Sequence, residues 1–129
     1  MRRILVVEDS GAMRALISAA LEGLDEKLEV DEAESGFAAL RMLPRQTYDL
    51  IVTDINMPDI NGLELVSFVK RDPRYRGTPL LIVSTEGSER DREKGLALGA
   101  DAYLVKPFGA DELQRLVLDL LSHARSRRS

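Results

Sequence analysis

Three carboxylates, two hydroxyls and a lysine carry most of the chemical potential of this sequence. Glu8 and Asp9 follow the apolar run Ile4–Val7, and Asp54 follows Leu50–Thr53. Ser84 and Thr85 follow Leu80–Val83, and Lys106 follows Ala102–Val105. Three carboxylates gathered at one place repel one another unless cations join them. A magnesium ion together with Lys106 would neutralise them, and magnesium takes an octahedron of oxygen ligands. A phosphoryl group arriving there would find the metal and the lysine placed against its equatorial oxygens. Singly, each residue has an ordinary structural reading: a helix-capping acid, a polar strand end, a Lys-Pro turn. The chemical reading depends on the fold bringing them together.

The elements that could do so alternate along the chain. Ile4–Val7 is a short β-branched-rich run suited to a strand buried on both faces. Ser10 is a candidate cap for a helix carrying Met13, Leu16, Ile17, Ala20, Leu21 and Leu24 on one face. Leu28–Glu32 alternates apolar and acidic residues, as a strand nearer a sheet edge would. Gly36 to Leu43 places Phe37, Leu40 and Leu43 at helical spacing, and Pro44 ends that helix. Leu50–Thr53 is the third strand. Leu63, Val66 and Val69 mark a short helix stopped by Asp72-Pro73. Leu80–Val83 is the fourth strand, and Glu89 to Leu98 is a helix closed by Gly99 in a left-handed cap. Ala102–Val105 is the fifth strand. Leu113, Leu116, Val117, Leu120 and Leu121 stripe the last helix, and residues 125–129 form a short basic tail. Five strand–helix repeats call for a parallel sheet covered by helices on both faces, with right-handed crossovers. In such sheets ligands bind beyond the carboxyl ends of the strands, where the reactive residues fall.

Composition narrows the class. The 129 residues suit one domain. Cysteine is absent, which excludes a disulfide framework, a thiol nucleophile and a Cys-ligated zinc site. The net charge of −4 argues against nucleic acid as the main partner. The apolar run after Met1-Arg2-Arg3 stops at four residues, short of a secretory signal, and no stretch reaches membrane-spanning length. The expectation is a soluble cytoplasmic chain with no DNA-binding unit and no membrane contact.

With these residues in place, the sequence resembles the receiver domain of two-component response regulators, closest to the stand-alone chemotaxis (CheY-like) type. The resemblance rests on Val6-Val7-Glu8-Asp9-Ser10, on Val52-Thr53-Asp54-Ile55-Asn56-Met57-Pro58, on Asn61-Gly62-Leu63-Glu64 and on Val105-Lys106-Pro107-Phe108. It covers Ile4 to about Leu121, within a receiver domain of residues 1–124. It implies a single doubly wound, flavodoxin-like (βα)5 three-layer sandwich with a five-stranded parallel sheet of order 2-1-3-4-5. It also implies a role for each matching residue. Asp54 would be the phospho-acceptor and a Mg2+ ligand. Asp9 would bind the metal directly, Glu8 through a water, and Asn56 through its backbone carbonyl. Lys106 would pair with the phosphoryl oxygens, and the Lys106-Pro107 bond would be cis. Ser84 would be the hydroxyl switch and Tyr103 the aromatic that follows it inward. Asn56, Thr85 and Glu86 would modulate the rates. Glu8 departs from the commoner aspartate, Ser84 from threonine, and Thr85 from alanine or glycine; the bulk of Thr85 should narrow access to Asp54.

The function implied is a signalling protein rather than an enzyme. A histidine kinase would donate the phosphoryl group, and slow autodephosphorylation would remove it. The face made by the fourth helix, fifth strand and fifth helix would change, with Leu96 and Phe108 at its edges, and would bind a downstream protein in chemotaxis, motility or phosphorelay signalling. A monomer is expected, with dimerisation on activation as a variant. One alternative is a degenerate receiver that docks partners without phosphorylation. Another is a Mg2+-dependent aspartyl-phosphate phosphohydrolase, but that class wants a second acid where Asn56 stands. A flavin-carrier reading conflicts with Glu8-Asp9, which would repel phosphate, and no P-loop occurs. His123 is read as a solvated residue near a helix C-terminus.

Overall fold

The structure, a computed structural model, describes residues 2–24, 27–85 and 89–128, with side chains as far as residue 122. Five strands and five helices alternate: β1 (Arg2–Val7), α1 (Gly11–Glu22), β2 (Leu28–Ala33), α2 (Gly36–Met42), β3 (Leu50–Thr53), α3 (Gly62–Arg71), β4 (Leu80–Ser84), α4 (Glu89–Ala97), β5 (Ala102–Val105) and α5 (Ala110–Arg128). All pairings are parallel and the order is β2-β1-β3-β4-β5, as the resemblance implied. Among the described residues no helix is long and apolar enough to cross a membrane.

Period-two alternation divides the central strands between two cores. Leu5, Val7, Ile51, Leu80 and Ile82 point to one layer, where they meet Ala39, Leu65, Val66 and Val69 from α2 and α3. Ile4, Val6, Leu50, Val52, Leu81 and Val83 point to the other, where Ile17 and Leu21 of α1 and Leu113, Val117 and Leu121 of α5 cover them. Every residue of β3 and β4 is therefore buried. This is why both read as continuous apolar runs. β2, at the sheet edge, is only partly covered.

Local signals set the boundaries. The Ser10 side chain accepts from the Met13 N–H, capping α1. Asn61 and Glu64 form a reciprocal capping box that starts α3. Asp72 leaves the helix with an extended ψ of 121°, as the following proline requires. Gly99 has φ of 113°, the left-handed closure expected after α4. The chain tightens into a 3-10 turn over Leu43–Arg45, with Pro44 near its start, so α2 stops at Met42. α5 continues to Arg128, into the segment the sequence reads as a basic tail. The side chain of His123 lies outside the described residues.

Two core expectations are corrected. Leu16 is 54% exposed, because the buried arc of α1 centres on Ile17, Ser18 and Leu21 and leaves Leu16 about a third of a turn away. Phe37 is also 54% exposed, since the inward arc of α2 runs through Gly36, Ala39 and Leu43. In α3, Leu65 is buried and Leu63 only partly so.

Candidate functional site

Register brings the acids together. Val7 pairs with Thr53, so the next residues, Glu8 and Asp54, leave adjacent strands side by side. The Asp54 N–H donates to the Val7 carbonyl (3.1 Å) and the Glu8 N–H to the Ala33 carbonyl (3.0 Å), which extends the ladder to the rim. One carboxylate oxygen from each of Glu8, Asp9 and Asp54 lies within 4.8 Å of the others. Glu8 and Asp54 are buried, while Asp9 is exposed to solvent. An all-oxygen donor set of this kind fits a hard divalent cation.

Lys106 closes the cluster from the far side of the sheet. Ser84 pairs with Val105, and the Lys106 N–H donates to the Ser84 carbonyl (2.8 Å). This backbone bond aims Nζ between two acids: 2.8 Å from Glu8 Oε1 and 3.6 Å from Asp54 Oδ2. The Lys106-Pro107 peptide is cis. Glu8 uses its second oxygen, Oε2, to accept from the Ser10 N–H (3.1 Å). Burial pushes the Glu8 carboxyl above its ordinary range; the bonds from Lys106 and Ser10 oppose that shift, and the nearby Asp54 adds to it.

Asp54 is held through one oxygen. Its Oδ1 accepts from the Ile55 N–H (2.8 Å), which leaves Oδ2 toward Lys106. Its carbonyl accepts from the Thr53 hydroxyl (3.0 Å). The loop after Asp54 folds back tightly, with the Gly62 N–H donating to the Ile55 carbonyl (2.7 Å). A Cβ on Gly62 would lie 2.0 Å from the Asp54 carbonyl oxygen, so only glycine fits.

The remaining expected residues take these places. Ser84 is fully buried at the end of β4, and Thr85 follows it, exposed. Tyr103 is half-buried on β5, opposite Ile82 of β4. Asn56 is exposed in the loop two residues beyond Asp54. Glu86 lies outside the described residues.

Two contributors escaped the sequence reading. The Arg14 guanidinium donates to the Glu8 carbonyl (2.8 Å) and to Glu32 Oε1 (2.9 Å), tying the acidic pair to α1 and β2. Its only sequence signal is its place one turn after the Ser10 cap. Asp59 accepts from the N–H groups of Phe37 (2.8 Å) and Gly36 (3.2 Å), joining the loop after Asp54 to the start of α2. Those donors, Phe37 foremost, hold its carboxyl down at about 2.

The response regulator receiver domain family matches residues 4–118 of this chain. A chemotaxis protein CheY homolog of Campylobacter jejuni is 38% identical over 120 residues, which span 92% of each chain. A probable transcriptional regulatory protein of Picosynechococcus is 43% identical over 120 residues, and there the match spans only 45% of the longer relative. Among solved structures, the chemotaxis response regulator CheY4 of Vibrio cholerae superposes with a TM-score of 0.84 at 35% identity, over 93% of this chain and 98% of that one.

Proposed function

The chain belongs to the response regulator receiver domain family, and from that premise we propose that Asp54 accepts a phosphoryl group from a phosphohistidine on a partner kinase. One observation carries the proposal. A buried carboxylate, fixed through Oδ1, presents Oδ2 within 3.6 Å of a lysine ammonium, beside two further carboxylates. Asp54 Oδ2 attacks phosphorus. The new O–P bond forms as the P–N bond breaks, and its electron pair returns to the imidazole nitrogen.

Asp9, Asp54 and the Asn56 carbonyl would hold Mg2+, with Glu8 acting through a water because Lys106 and the Ser10 N–H already engage both of its oxygens. When bound, the ion would supply positive charge against the transferred oxygens. Lys106 offers the second cation and moves from Glu8 toward the phosphoryl group. Ser84 turns its hydroxyl to the new acceptor oxygens, and Tyr103 packs into the space it leaves. Thr85, Asn56 and Glu86 set the lifetime of the acyl phosphate.

The face of α4, β5 and α5 is the proposed output surface. It exposes Leu96 and Val105 and carries a cavity of about 450 Å³ lined by Tyr103, Leu104, Glu112, Arg115, Leu116 and Asp119. Because Tyr103 lines that cavity, its movement would change the surface a partner meets. The pathway proposed is chemotaxis-type signalling, with a histidine kinase upstream and a protein target downstream in the cytoplasm.

Acetyl phosphate with Mg2+ tests the acceptor. Intact-mass measurement should show a gain of one phosphoryl group on the wild type and none on Asp54→Asn. Labelling that persists in the variant, or no labelling of folded wild type, overturns the assignment.

A further inference from the structure

The pole opposite the acidic rim has the opposite charge. Residues 41–49 and 70–78 hold six basic side chains and two acidic ones, a net of +4. The whole chain is −4, so the other 111 residues carry −8. The two segments meet at the amino ends of β3 and β4, around a cavity of about 470 Å³ lined by Arg45, Gln46, Tyr48, Arg74, Tyr75 and Thr78, among others. That volume falls within the range of about 300–1,000 Å³ common for small-ligand sites. The strand axes separate it from Asp54, which sits at the carboxyl end of β3.

Its two guanidinium groups differ in a useful way. Arg74 is held rigidly: Nε and Nη2 donate to the two oxygens of Asp72 (3.1 and 2.8 Å), and the group stacks 4.8 Å from the centre of the Tyr75 ring. Those bonds leave Nη1 for another acceptor. Arg45, contributed to the same lining by the other segment, is exposed, and it also lines a smaller adjoining cavity with Asp31 and Met42. One guanidinium fixed by Asp72 and a second, exposed one can close on an oxyanion, because little rotamer freedom remains to be lost on the fixed side. The Tyr48 hydroxyl is committed to Asp31 (2.8 Å), so Gln46 and Thr78 supply the neutral polar groups. The −8 of the remaining surface repels anions elsewhere and directs them to this pole.

We propose that this cavity is a second binding site, for a compact polyanion bearing two or more phosphate or carboxylate groups, gripped between Arg45 and Arg74. It is independent of the phospho-acceptor chemistry, and its test omits divalent metal, so the acidic rim has only Lys106, already engaged by Glu8 and Asp54, with which to recruit an anion. The probes are inorganic pyrophosphate and citrate, titrated at constant ionic strength into the full chain while amide NMR spectra are recorded. The expected result is saturable shifts at the amides of residues 45–47, 75 and 78. Affinity should fall at least tenfold in Arg45→Gln and in Arg74→Gln, and less than twofold in Arg71→Gln, which removes the same charge outside the cavity lining. Saturation by pyrophosphate alone assigns a phosphate source; saturation by citrate alone, a carboxylate source. Shifts that never saturate, or an equal loss in Arg71→Gln, reduce the effect to diffuse charge and overturn the proposal. All three arginines are exposed, so the variants should keep the fold, and the dispersion of the same spectra reports whether they do.

Discussion

Replacing Gly62 by alanine sets two physical effects against each other, and the sign of the result separates them. Gly62 starts α3 and its φ is not positive, so backbone conformation alone permits alanine. On that ground Gly62→Ala should stabilise the fold by about 0.4–1 kcal/mol, through the lost freedom of the unfolded chain. The contact says otherwise. The new Cβ would sit 2.0 Å from the Asp54 carbonyl oxygen and 2.8 Å from both the Asp54 carbonyl carbon and Ile55 Cα, all of them backbone. Real Cβ contacts essentially never fall under 3.0 Å, so the two backbones must part by about 1 Å. Overpacking of that kind costs about 1–3 kcal/mol. Stretching the Gly62 N–H bond to the Ile55 carbonyl leaves buried polar groups unmet, at about 1–3 kcal/mol more. Net destabilisation should be about 2–5 kcal/mol, a fall in Tm of about 8–20 °C for a chain of this size. Calorimetry reads the first quantity, and the rate of acetyl phosphate labelling should fall with it, because Asp54 moves. An unchanged or raised Tm would refute the close-approach reasoning.

Other perturbations have defined signs. Gly99→Ala should lower stability by about 1–2 kcal/mol, since φ of 113° is costly for a side chain and the new Cβ would meet Lys70 Cγ at 2.8 Å; urea unfolding measures it. Asp59 contributes stability that is complete above its unfolded value near 3.8 and is lost as pH falls through about 2. Asp59→Asn should therefore flatten acid unfolding curves between those two pH values and lower stability at neutrality, where the ionised carboxylate contributes in full. Glu8 has the opposite sign: its raised carboxyl makes the folded chain lose stability as pH rises from 4.5 through the folded midpoint. Carboxyl NMR should find that midpoint above 4.5 and higher still in Lys106→Met, which removes a bond favouring the ionised form. Thr85→Ala should speed labelling by small phosphodonors by opening access to Asp54; equal rates would show that Thr85 does not gate the site.

The sheet was legible because its central strands are buried on both faces, so Ile4–Val7, Leu50–Thr53 and Leu80–Val83 read as apolar runs closed by acids or hydroxyls. The site followed from the same pattern, since parallel strands deliver their terminal residues to one rim and every expected acid, hydroxyl and lysine there belongs to a strand end. Helix faces were less legible. Leu16 and Phe37 share the spacing of core residues, and only packing shows that Ser18 and Gly36 turn inward in their place. The supports of the site were hidden for another reason. Arg14 reaches the Glu8 carbonyl and Asp59 reaches the start of α2 through contacts that no local spacing encodes. The division of Lys106 between Glu8 at 2.8 Å and Asp54 at 3.6 Å likewise depends on side-chain geometry rather than order in the chain.

The central claim is that phosphorylation of Asp54 reshapes the surface of α4, β5 and α5. Beryllofluoride with Mg2+, which mimics an aspartyl phosphate, tests it in one NMR titration of wild type and Asp54→Asn. The account predicts metal-dependent amide shifts at Asp54, Ser84, Tyr103 and Lys106, spreading to Leu96, Val105 and Leu116, and absent from the variant. A folded wild type with no such shifts would contradict it and leave a module that docks its partners without phosphorylation.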